Sequence, residues 1–104
     1  MGVDVYWRNA RGEELDHALD VHDHFARSIL HIQGRRSEDF PMLQSIDVYA
    51  NRVFTPPQTE TLAAELERVR SDSSVDVRIH LGRVISLARA ARSVEGSYLE
   101  CVGD

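Results

Sequence analysis

Lysine is absent from these 104 residues: all 12 cations are arginine, set against 17 acidic side chains for a net charge of −5. Neutralising phosphates requires a clustered basic surface, so nucleic acid is not an expected partner. The missing lysine points to a GC-rich bacterial genome as much as to any physical demand. Cysteine is nearly absent too. Cys101 stands alone, which rules out an intramolecular disulfide and a cysteine-based zinc site and fits the reducing cytosol. It lies in the run Tyr98-Leu99-Glu100-Cys101-Val102 beside acids rather than bases, the setting of a small core residue and not of an activated thiol.

Long apolar runs are also lacking. None approaches the roughly 18 residues of a membrane span, and residues 1–14 have no hydrophobic centre of the kind a signal peptide needs. Myristoylation on Gly2 would want Ser or Thr where Tyr6 stands. The expected location is the cytoplasm, without membrane contact. Catalytic signatures are missing as well: there is no Gly-x-Ser-x-Gly elbow, no phosphate-binding glycine loop and no Gly-x-Gly-x-x-Gly. The chain therefore reads as non-enzymatic, with no cofactor.

What is present describes a single domain over 1–104, with 42% hydrophobic and 28% charged residues, large enough to bury a core without a metal or disulfide. Val3, Val5 and Trp7 alternate with Asp4, Tyr6 and Arg8, the period of a strand with one buried face. From Glu13 to Gln33 the residues Leu15, Ala18, Leu19, His22, Phe25, Ala26, Ile29 and Ile32 recur at helical spacing, and Gly34 is placed to terminate that helix. Phe40 to Leu43 is an apolar anchor in which Pro41 limits helix. Residues 45–54 hold two β-prone runs around Ala50-Asn51, a short hairpin or an irregular loop.

Thr55-Pro56-Pro57-Gln58 forms a capping box that starts a second helix at Pro56. Its apolar stripe is Leu62, Leu66 and Val69, with Glu65 among the wet positions. Val77, Leu81, Val84, Ala88 and Ala91 mark a third helix capped at Ser74. Gly96 ends it, and residues 97–102 read as a terminal strand. A lone strand at each end leaves backbone groups unpaired, so the first is expected to pair with the last. The predicted fold class is α+β: about three helices against a small sheet that joins the N-terminal and C-terminal strands.

Five histidines raise the question of a metal. His17, His24 and His31 lie seven apart with Asp20 between the first two, but on one helix His17 and His24 would stand about 10 Å apart along the axis. Asp20 with His17 or His24 is the most that could coordinate, and three converging ligands are the usual need. The series reads as a solvated face, His22 as a hydrogen-bonded core or boundary residue and His80 as a surface residue. No metal site is assigned.

Charge placement carries more. Glu13, Glu14, Asp16, Asp20 and Asp23 put five acids on the opening turns of the first predicted helix, favourable at a helix N-terminus and also a signed surface for a partner. Arg78, Arg83, Arg89 and Arg92 make the third predicted helix basic.

Residues 40–58 (FPMLQSIDVYANRVFTPPQ) and 98–104 (YLECVGD) resemble a family of small uncharacterised bacterial proteins that pair an Ile-Asp-Pro-Tyr-Gly-Asp-x-Val-Phe segment with a Tyr-Leu-x-Phe-Ile-Gly-Asp terminus. Asp47, Tyr49, Val53, Phe54 and Gln58 keep the pattern, as do Tyr98, Leu99, Gly103 and Asp104, whereas Val48 and Ala50 replace its Pro and Gly. The resemblance implies a compact accessory protein, some members being similar to immunity partners of secreted toxins. The expectation is a binding module that holds a protein partner, most concretely a toxin, through Glu13, Glu14, Asp16, Asp20 and Asp23 and through Asp47, Tyr49 and Asn51. A metal enzyme or sensor using Asp20, and a structural homo-oligomer subunit, are the alternatives.

Overall fold

The computed structural model describes residues 2–36 and 38–103; Met1, Ser37 and Asp104, the last position of the family resemblance, lie outside them. In chain order the elements are β1 (Val3–Arg8), β2 (Glu14–Ala18), α1 (His24–Arg35), α2 (Pro41–Gln44), β3 (Asn51–Phe54), α3 (Gln58–Ser71), α4 (Val75–Ser93) and β4 (Tyr98–Gly103). Among the described residues the strands form one antiparallel sheet in the order β2-β1-β4-β3. The fold class is α+β, and the first and last strands pair as their alternating patterns require, with Val5 opposite Cys101 and Trp7 opposite Leu99.

The helix expected over Glu13 to Gln33 is two elements. Asn9 reverses the chain before a helix can begin: its amide donates to Glu13 O at 2.9 Å and its carbonyl accepts from Gly12 N at 2.9 Å. Its side-chain Oδ1 also accepts from the amides of Arg11 and Glu13. Gly12 completes the turn at φ +82°, a conformation costing an L side chain roughly 1–2 kcal/mol. Residues 14–18 then run back along β1, Ala18 opposite Val5 and Asp16 opposite Trp7. Leu15 and Leu19, part of the helical stripe on paper, are 43% and 42% exposed. Helix begins only at His24, after a turn in which Asp23 takes φ 59°.

Four smaller corrections follow along the chain. Gly34 lies inside α1, and Arg36 instead takes the left-handed conformation at φ 50°, its amide bonded to Gln33 O. Pro41 opens a one-turn helix, where its missing N–H is harmless. Residues 45–54 do not close on themselves: 47–50 turn, and β3 pairs with β4, Phe54 opposite Leu99. The 55–58 cap is half realised, since the Gln58 side chain accepts from Thr55 N at 3.1 Å, and α3 starts at Gln58.

The buried apolar side chains form one cluster between sheet and helices. Val3, Val5, Leu99, Cys101 and Phe54 supply the sheet side, facing Phe25, Ile29, Leu43, Leu62, Leu66, Leu81 and Val84. α4 lies across β1, β2 and β4 with α3 folded back beside it, while α1 packs on α4 and α2 on α3. Among the described residues no helix is long and apolar enough to cross a membrane.

Candidate binding surface

Asp20, grouped with the surface acids on sequence grounds, is an interior residue at 5% exposure. Its Oδ2 accepts from Val3 N at 3.0 Å and Ala26 N at 2.9 Å, and its Oδ1 from Phe25 N at 3.0 Å. Its own amide donates to Asp4 Oδ1. The carboxylate thus satisfies two orphan amides in the first turn of α1 and ties them to the first residue of β1. Asp23 occupies the position before the helix, yet its side chain makes no capping bond. A second interior acid repeats the device: Glu65, expected to be wet, is buried on α3 and accepts from Met42 N and Leu43 N, both at 3.0 Å, capping α2 from outside.

The other predicted acids lie on or beside an edge strand rather than on helical turns. Glu13 pairs with the Asn9 amide group across the turn. Glu14 and Asp16 are exposed on β2, where Glu14 Oε2 meets His17 Nδ1 at 3.0 Å. Arg83 of α4 donates to the His17 carbonyl at 3.2 Å.

From the end of β2 the chain enters a surface hollow of about 920 Å³ between the β2–α1 turn and α4. Leu19, Val21 and Ile79 provide apolar lining, with Val21 76% and Ile79 61% exposed. Asp23, Asp76, Arg27 and Arg83 surround them. Histidine rings form one side: His22 lies 5.7 Å from His24, and His24 lies 6.2 Å from His80 between ring centroids. His80 Nε2 faces Asp20 Oδ1 at 3.5 Å without a hydrogen bond. Burial holds the His80 pKa below its ordinary 6.5, and His24 and Arg83 act in the same direction against the opposing pull of Asp20 and Asp4.

The histidine series 17, 24 and 31 is therefore divided. His17 is on β2 beside Glu14, and the ring that reaches Asp20 is His80, from a helix 60 residues further along the chain. Among the described residues no group of three or more His, Cys, Asp or Glu side chains could hold a metal ion. Cys101 is fully buried, and desolvation pushes its thiol up to about 12, despite Arg52 opposite it on β3.

The second predicted patch is a tight turn. Asp47 Oδ1 accepts from Tyr49 N at 2.8 Å and its carbonyl accepts from Ala50 N, leaving Tyr49 68% exposed. Asn51 opens β3 opposite Val102. The Ala50 carbonyl accepts from Gly103 N at 2.9 Å, and a Cβ on Gly103 would sit 2.3 Å from Val48 O. The two segments that carried the family resemblance are thus neighbours, their glycine required by backbone contact.

Sequence reading missed Val21 and Ile79 as surface partners, and His80, expected at the surface, is largely covered, its side chain 11% exposed. Val21 was passed over inside a supposed helix, and the one available signal was the polar cluster Asp20, His22 and Asp23 around it, which marks a turn. No protein-family model, no curated protein and no solved structure matches this chain.

Proposed function

We propose that this chain is a non-enzymatic protein-binding module, most concretely a cytoplasmic immunity protein that neutralises a bacterial toxin. The observation that carries the reading is the grouping of Leu19, Val21 and Ile79, exposed apolar side chains from two separate elements, in one hollow ringed by charges. Apolar patches rimmed by polar groups are characteristic of interaction sites. The acids Glu13, Glu14 and Asp16 extend that surface along the β2 edge. They favour a partner of basic surface, whose approach they would accelerate. Asp47, Tyr49 and Asn51 form a second candidate contact at the opposite sheet edge.

The test uses the protein encoded beside this one as the binding partner in surface plasmon resonance. Replacing Glu13, Glu14 and Asp16 together by Lys is expected to slow association about tenfold or more at low salt and little at high salt. The pair Val21→Asp and Ile79→Asp is expected to weaken binding by about 2 kcal/mol, mainly through faster dissociation. Failure of the adjacent protein to bind, or rates unmoved by both sets, would remove the reading. The open edge of β2 favours a second reading, a homo-oligomer joined strand to strand; light scattering at rising concentration separates it.

A further inference from the structure

Adjoining the first hollow along α1 lies a second, about 440 Å³, bounded by α1, the end of α3 and the start of α4. Its apolar lining is Ile32, Phe40, Val69 and Val77, side chains continuous with the main core. Its charged lining is Arg27, Arg35 and Arg68 against a single acid, Asp72, with His24 and His31 beside them. In a chain of net charge −5 this is a local reversal of sign. The arginines are also differently held. Arg68 is fixed on the apolar lining, its guanidinium 4.5 Å from the Phe40 ring centroid and bonded to the Asp39 carbonyl. Arg27 and Arg35 are exposed and make no ion pair among the described residues, so both forks are available to a ligand.

We propose that this hollow binds a small organic anion, an apolar body carrying one carboxylate or phosphate group. The volume lies within the range of small-molecule sites, which combine apolar walls with a few polar groups that fix orientation. Here the walls take the body between Phe40, Val69 and Val77. The guanidinium groups take the head, since their planar forks pair carboxylate and phosphate oxygens bidentately. The site shares Arg27 and His24 with the hollow assigned to a protein partner, but its occupancy does not depend on that assignment.

Octanoate and octyl phosphate are the probes, titrated into labelled protein and followed by two-dimensional amide NMR, with octanol and octyltrimethylammonium as neutral and cationic counterparts. The expected result is saturable one-to-one binding of at least one anion, with shifts concentrated at residues 27–35, 68–74 and 77, and at least tenfold weaker binding of both counterparts. Arg27→Gln combined with Arg35→Gln should weaken the anion roughly tenfold or more, the effect of losing charge-assisted hydrogen bonds. Arg92→Gln should change nothing, because Arg92 lies 15 residues beyond Val77, about 22 Å along α4. The amide spectrum of each variant also reports whether it folds. No saturable shift with either anion, equal binding of octanol, or equal loss in the Arg92 variant would overturn the proposal.

Discussion

Asp20 shows how much depends on one carboxylate. Replacing it by Ala leaves the amides of Val3, Phe25 and Ala26 without their acceptor, and buried unsatisfied donors cost about 1–3 kcal/mol each. A loss of roughly 3 kcal/mol or more is expected in urea unfolding; a loss below about 1 kcal/mol would mean that water replaces the carboxylate. His80 beside it gives a pH signature. Its lowered pKa means the unfolded chain binds this proton more readily than the folded one, so the contribution is intact above the ordinary 6.5 and lost as pH falls toward the folded value. His80→Gln should flatten the fall in urea midpoint between pH 7 and the acid side, and an unchanged slope would assign that fall to other groups. Neither role was legible in the sequence: Val3 and His80 lie 17 and 60 residues from Asp20 in the chain, and the expected helix ran unbroken through Phe25 and Ala26, whose amides Asp20 in fact caps. Glu65 was misread for the same reason: its polar head is buried by α2, which the helical stripe of α3 cannot announce.

At the scale of elements, legibility followed the source of the constraint. β1, β4 and α4 were readable because each buries one face of a regular repeat. β2 was not. Leu15, Ala18, Leu19 and His22 satisfy a helical period by coincidence, and two of those apolar residues face solvent. The decisive information lay in Asn9 and Gly12, whose turn makes residues 14–18 a partner for β1 before helix propensity can act. Gly12→Val is therefore expected to destabilise the protein by about 1–2 kcal/mol. Hydrogen exchange should quicken first at β2 amides; uniform acceleration across the sheet would show instead that β2 is no separate unit. For the candidate surface, the acids were legible as residues but their arrangement was not, since edge strand, turn and interior cap replaced one helical face.

At the scale of the molecule, charge is distributed unevenly. Exposed acids run along β2 while arginines gather at the α1–α3–α4 hollow. The two regions should respond oppositely to ionic probes: a basic protein partner binds more weakly at 300 mM than at 30 mM salt through the β2 side, and the Glu13, Glu14 and Asp16 reversal removes that dependence. Equal salt dependence in the reversed protein would shift attention to the Asp47–Asn51 turn. The position of β4 has a consequence for assembly. It lies between β1 and β3, so neither of those strands has its shared partner until residues 98–103 arrive. A fragment covering 2–96 should consequently carry a vacant slot shaped for one strand, and a synthetic peptide of residues 97–103 should fill it in trans. Such a split pair would report on folding by reconstitution, with Gly103 as the residue the slot reads most strictly, because the Val48 carbonyl leaves no room there for a side chain.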